Sequence, residues 1–130
     1  MSDIAGRIFP TPPSLRYVVL RHEGIDDPHY DLMFETSPGS DLTTWRSKKW
    51  PIDTETPLVQ LGEHRRAYLE YEGPLSNDRG NVQRIAAGRY RLDRPSDTLW
   101  RITFRDFIAI SQLEFRHQKN DLWRAEPRRI

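Results

Sequence analysis

His22, His29 and Asp31 fall within ten positions of one another, in the stretch HEGIDDPHYDLMFE. Imidazole nitrogens and carboxylate oxygens are the ligands that zinc, manganese and similar divalent ions accept. Three such ligands leave coordination positions open for substrate. An ion held that way can polarise a phosphoryl oxygen or activate water. The chain has no cysteine, so thiolate metal sites, disulfides and thiol nucleophiles are excluded and any metal must be held by nitrogen and oxygen. The competing reading is an exposed hairpin face on which the histidines are incidental.

A hairpin is needed to bring the three together. Tyr30, Leu32 and Phe34 alternate with His29, Asp31, Met33 and Glu35, the period-2 pattern of a strand with one apolar and one mostly polar face. His29 and Asp31 then project from the same face, one pleat apart. Upstream, Arg16–Arg21 (RYVVLR) is a second β-rich run, and Glu23–Pro28 supplies an acidic loop with a glycine and a proline. An antiparallel pairing closed by that loop sets His22 level with His29, and directly opposed Cβ atoms lie about 4.5–5.5 Å apart.

The rest of the chain reads as more of the same architecture. Leu42–Ser47, Leu58–Leu61, Ala67–Glu72, Asn81–Ala86, Arg89–Leu92, Leu99–Phe104, Ile110–His117 and Asp121–Ala125 are short apolar or alternating runs. Turn formers separate them, notably TSPGSD at 36–41, GPLSNDRG at 73–80 and RPSD at 94–97. Gly88 is expected to lie between a pair of short strands and separate them. The pattern predicts a mainly β, single-domain antiparallel barrel or crescent-shaped sandwich with little helix. Residues 1–15, with Pro10, Pro12 and Pro13, are expected to form an N-terminal arm, 16–126 the domain, and 127–130 a frayed tail.

Twenty Lys and Arg against 19 Asp and Glu give a net charge of +1, so overall charge decides nothing about nucleic acid and only local patches can. No run approaches 18 apolar residues and no signal-peptide pattern is present, which predicts a cytoplasmic protein without a membrane partner. A monomer is the default expectation.

Further candidates lie downstream. His64 precedes Arg65 and Arg66 and is placed to orient a phosphate or protonate a leaving oxygen, against the reading of a solvated loop histidine. Arg65, Arg66, Arg79, Arg84 and Arg89 are candidates to line a phosphate track, although most are expected to form salt-bridged strand surface. Arg79, at the tip of S-N-D-R-G, is the best anion contact among them. Trp45 and Trp50 can stack on a base but are expected in the core, and His117, alternating with Leu113 and Phe115, is expected to be structural.

The residues R-Y-V-V-L-R-H and H-Y-D-L-M-F-E resemble the start of the 3′-phosphoesterase domain of bacterial DNA ligase D. Weaker echoes follow in Trp45 with Lys49, in Arg66-Ala-Tyr-Leu-Glu-Tyr-Glu, in Pro74-Leu75 and in Gly88-Arg-Tyr90. The resemblance implies an antiparallel β-barrel and a manganese-favouring enzyme that removes a 3′-terminal ribonucleoside and then a 3′-phosphate to leave a 3′-OH. His22, His29 and Asp31 would be the metal ligands, Arg66 a phosphate contact and Lys49 a weaker one. DNA or DNA/RNA 3′ ends would be the substrates. The 130 residues leave no room for a fused ligase or polymerase, so a ligation partner is expected to be a separate protein. This chain departs from the family pattern in four ways. Met33 stands where the family has arginine, Gly73 where it has histidine and Asn77 where it has tyrosine, and the first spacing is one residue longer. Those departures support a rival reading, a binding module for DNA ends or a protein partner that lacks turnover.

Overall fold

The computed structural model describes residues 14–104 and 112–128. Nine strands run β1 (Leu15–Glu23), β2 (His29–Glu35), β3 (Leu42–Ser47), β4 (Thr56–Gln60), β5 (Gly73–Pro74), β6 (Asn81–Ser96), β7 (Leu99–Phe104), β8 (Gln112–Lys119) and β9 (Leu122–Arg128). All pairings are antiparallel, in the order β1-β2-β3-β4-β9-β8-β7-β6-β5, and β1 also pairs with β6. That last pairing closes the sheet into a ring, the barrel the alternation predicts, and leaves no free edge on β1.

The barrel interior is aromatic. Tyr17, Phe34, Trp45, Tyr90, Trp100, Phe115 and Trp123 are buried in one cluster, with Trp45 4.7 Å from Trp100 and 4.9 Å from Phe115, centroid to centroid, in edge-to-face contact. Trp45 is therefore core and unavailable to a base, and Trp50 packs on the same cluster from its rim. His117 donates from Nε2 to the Asn120 carbonyl and lies against the Trp123 ring, a structural role as expected. With the interior filled by side chains, chemistry is left to the outer face.

A second apolar cluster lies on that outer face: Val18, Leu20, Met33, Leu42, Leu69 and Val82, with Tyr68 and Leu75 packed against them. Its members alternate along β1 and β2 with those of the inner cluster, so the same strands are apolar on both sides. Residues 61–80 are the cover. Leu61 N–H donates to Thr44 and His64 exchanges both backbone bonds with Leu42, so the chain leaving β4 stays alongside β3 before crossing the outer face.

Four local expectations are corrected. Ala67–Glu72 is not an alternating strand; Arg66–Leu69 form a 3₁₀ helix. Lying over a sheet rather than beside it, this segment has no ladder to join. It closes local bonds instead, Tyr68 N–H to Arg65 and Glu70 N–H to Ala67. Asn81–Leu92 is not a pair of strands separated by Gly88 but one strand, because β1 pairs along it from Asn81 to Tyr90. A bulge at Ile85 shifts its register, so Val82 joins the outer cluster while Ala86, Tyr90 and Leu92 turn inward. The two residues Gly73–Pro74, expected within a loop, pair with Val82 and Asn81. The C-terminal segment is not frayed through Arg128: β9 runs to that residue, with Arg124 paired to Glu55 and Arg128 to Glu114. Residues 1–13 of the expected arm, and 110–111 of the expected strand at Ile110–His117, lie outside the described residues.

Glu35 ties the cover to the barrel. Its side chain, 4% exposed, accepts from Arg66, from the Arg16 N–H at 2.9 Å and from the Gly39 N–H at 3.2 Å. Burial alone would raise its carboxyl, but the Arg66 hydrogen bond and the two backbone donors outweigh that and hold it below the usual range. Tyr90 donates its hydroxyl to the Glu35 carbonyl, and burial, then the Glu35 charge, push its phenol up so that it stays a donor. Because the folded-state carboxyl is depressed, ionised Glu35 stabilises the fold above the unfolded value of about 4.3, and that contribution is lost as pH falls through and below it. Glu35→Gln is expected to lower Tm at pH 7 and to flatten the fall in Tm between about pH 5 and pH 3. Arg66→Ala should cost about 2 kcal/mol in denaturant unfolding.

Candidate metal centre

The register of the first hairpin is the one the sequence predicts: His22 pairs with His29 and Leu20 with Asp31. His22, His29 and Asp31 all leave the outer face, and one ligand atom from each lies within 4.8 Å of the others. His22 Nδ1 is 3.5 Å from Asp31 Oδ2, and His29 Nε2 is 3.2 Å from Asp31 Oδ1. Two ligands of one ion, each about 2.1 Å from it, stand roughly 3.0–3.4 Å apart in cis-octahedral or tetrahedral arrangement. The observed separations lie close to that spacing.

The outer nitrogens fix which lone pairs face inward. His29 Nδ1 meets the Asp27 carbonyl at 2.8 Å and His22 Nε2 meets the Arg79 carbonyl at 2.6 Å. A carbonyl only accepts, so those two nitrogens carry the protons. In the neutral imidazoles His29 Nε2 and His22 Nδ1 are then bare and turned toward Asp31. Backbone carbonyls holding the far nitrogen are the usual support of a ligating histidine. His29 Nε2 and Asp31 Oδ1 are both buried and make no hydrogen bond, since their 3.2 Å contact lacks hydrogen-bond alignment. A bare nitrogen facing a carboxylate oxygen is unfavourable with nothing between them. A divalent cation satisfies both atoms at once, so the residues fit a metal.

The centre opens on a cleft of about 610 Å³ lined by His22, Asp31, Met33, Arg46, His64 and Arg79, among others. His64 donates from Nδ1 to the Gly62 carbonyl at 2.9 Å, leaving Nε2 as its basic nitrogen. Arg79 reaches both this cleft and a smaller one beside it, where Arg65, Tyr68, Tyr71 and Ser76 also line the wall. The other candidates are elsewhere. Arg66 is engaged by Glu35 and the Ser40 carbonyl, and Lys49 by Asp53 and Thr54. Neither lines the cleft. Arg46 does, and sequence reasoning missed it; its signal is the pairing of Arg46 with Asp31 across β2 and β3, which appears only once the register of the third strand is known.

No protein-family model matches the chain, and no curated protein does. The likeness to the ligase D domain therefore rests on its motif residues alone.

A metal that binds this geometry should stabilise the fold. Saturating Mn²⁺ or Zn²⁺, at about 100 times Kd, should contribute about 2.7 kcal/mol, roughly 10 °C in a thermal melt. His29→Ala and Asp31→Asn should abolish that rise while staying folded. Gly80, at φ +80°, supports the loop whose Arg79 carbonyl holds His22, and a Cβ there would sit 2.1 Å from the Glu23 carbonyl oxygen. Gly80→Ala must displace the loop, and metal affinity measured by titration should fall about 10- to 100-fold.

Proposed function

We propose that the protein is a divalent-metal-dependent phosphoesterase that processes nucleic-acid 3′ ends, removing a 3′-phosphate or a terminal 3′-ribonucleoside. The observation that carries this reading is the pair of orphaned atoms, His29 Nε2 and Asp31 Oδ1, in a centre open to a cleft whose wall carries Arg46 and Arg79 together with Asp26 and Asp78. The motif resemblance supplies the reaction class. A divalent ion held there, manganese by the family's preference, supplies Lewis acidity toward a phosphoryl oxygen and activates water.

The chain's own groups complete the chemistry. On a 3′-terminal ribonucleotide, water adds to phosphorus and the bond to the nucleoside's 5′ oxygen breaks, leaving a 3′-phosphate; on a 3′-phosphate, water adds to phosphorus and the bond to the 3′ oxygen breaks. His64 gives a proton from Nε2 to the departing oxygen, and in the second step this leaves a 3′-OH and inorganic phosphate. Arg79 and Arg65 follow the strand's upstream phosphates into the smaller cleft, where Tyr68 and Tyr71 offer ring faces to a base. Arg66 and Lys49 act on the fold instead, through Glu35 and Asp53. In this reading the protein works in the cytoplasm as a monomer in DNA repair, and a ligase uses the 3′-OH it leaves.

One observation favours the rival binding module. Met33, 1% exposed, and Gly73 replace an arginine and a histidine of the family pattern, so the cleft floor is apolar where the resemblance implies a cation. Incubation with Mn²⁺ and a primer–template ending in a 3′-phosphate or a 3′-ribonucleotide decides between them. Release of phosphate or nucleoside is expected, abolished by chelator and by His29→Ala. His64→Ala should slow it about 100-fold or more. End binding without turnover under any divalent ion would establish the module.

A further inference from the structure

Arg46 and Asp31 face each other across β2 and β3, on the outer face of the barrel. Opposed residues of opposite charge ordinarily pair. These two do not: the Asp31 oxygens are turned to His22 and His29, and the Arg46 side chain makes no hydrogen bond or ion pair among the described residues. Its Nε is buried and without a partner, although the residue lines the cleft beside the metal centre. Other arginines are matched: Arg16 with Glu70, Arg66 with Glu35, Arg124 with Glu55, and Arg101, Arg116 and Arg128 around Glu114. Arg84 shares an orphaned Nε but is not in the cleft wall.

Asp27 feels the Arg46 charge without bonding it, and a buried Nε that has no hydrogen-bond acceptor is satisfied by an incoming anion. The Nε edge presents two parallel N–H donors at the spacing of two oxygens on one phosphorus. We propose that Arg46 is the anion-binding residue of this cleft, taking two non-bridging oxygens of a phosphate monoester or diester bound beside His22, His29 and Asp31. This rests on the phosphoesterase reading for its biological ligand, but the anion site itself is tested independently.

The probe is inorganic phosphate, titrated calorimetrically into the Zn²⁺-loaded protein, zinc being diamagnetic, and followed in parallel by the Arg46 Nε–H resonance. Wild-type protein is expected to bind phosphate with a large shift of that resonance. Arg46→Met, which keeps the aliphatic stem, should weaken phosphate at least tenfold. Arg46→Lys, which keeps the charge but not the fork, should recover only a fraction of the loss. Mn²⁺ affinity should stay within about threefold in both variants, and KM for a 3′-phosphorylated primer should rise in the same order. Unchanged phosphate affinity in Arg46→Met, or an unmoved Nε–H resonance at saturation, overturns the proposal. Hydrolysis at wild-type KM in Arg46→Met also overturns it while leaving the phosphoesterase reading intact. Arg46-dependent phosphate binding without any turnover supports the anion site and removes the enzyme reading.

Discussion

The pairing of β1 with β6 is the constraint from which the site follows. It closes the ring, so β1 is held on both sides and cannot slip relative to β2. A slip of one residue would exchange the two faces and carry His29 and Asp31 into the aromatic interior. The same pairing sets β6 beside His22, which brings the loop before β6 within reach and lets the Arg79 carbonyl take the His22 proton in a hydrogen bond. The bulge at Ile85 then lets one strand serve both faces, with Val82 outside and Tyr90 inside. Barrel closure and imidazole orientation are thus one mechanical problem.

The apolar outer cluster explains how His29 and Asp31, on an exterior face, are kept from water. His29 is 1% exposed and Asp31 4% although neither points into the barrel. Leu69, Tyr68 and Leu75 shield the neighbouring surface, and the Glu35–Arg66 pair fastens that cover at its start. Lower effective dielectric strengthens the attraction between the ligands and a cation, and it raises the cost of leaving His29 Nε2 and Asp31 Oδ1 without one.

How much of this was written in the chain depends on range. The first hairpin and its His22–His29 register are legible, because strict alternation and a short loop specify a register locally. Leu42–Ser47 and Leu99–Phe104 are legible to the residue for the same reason. The 66–72 segment misleads because alternation in Ala67, Leu69 and Tyr71 looks like a strand; only the absence of a partner strand over the outer face turns it into a 3₁₀ helix. The length of β6 is hidden for the opposite reason, since its two halves alternate on different faces and the bulge that joins them leaves no compositional mark. The roles of Arg66 and Lys49 fail as sequence inferences because their carboxylate partners lie across the fold or in a turn, and nothing in a run of arginines tells which are already neutralised.

Neutralisation of that kind also decides what the site can recognise. An arginine contributes to anion binding in proportion to how little of its hydrogen-bonding is already spent within the protein. Arg66, engaged by a buried carboxylate, would have to leave Glu35 uncompensated to meet a phosphate, and the fold opposes that. Arg46 meets no such opposition, because Asp31, the acid across from it, is turned toward the histidines. A cation held by His22, His29 and Asp31 would stand on the strand next to Arg46, and an anion reaching both would be attracted by each. On the proposed reading, His22, His29 and Asp31 through their ion and Arg46 through its buried Nε would act together on one phosphate group.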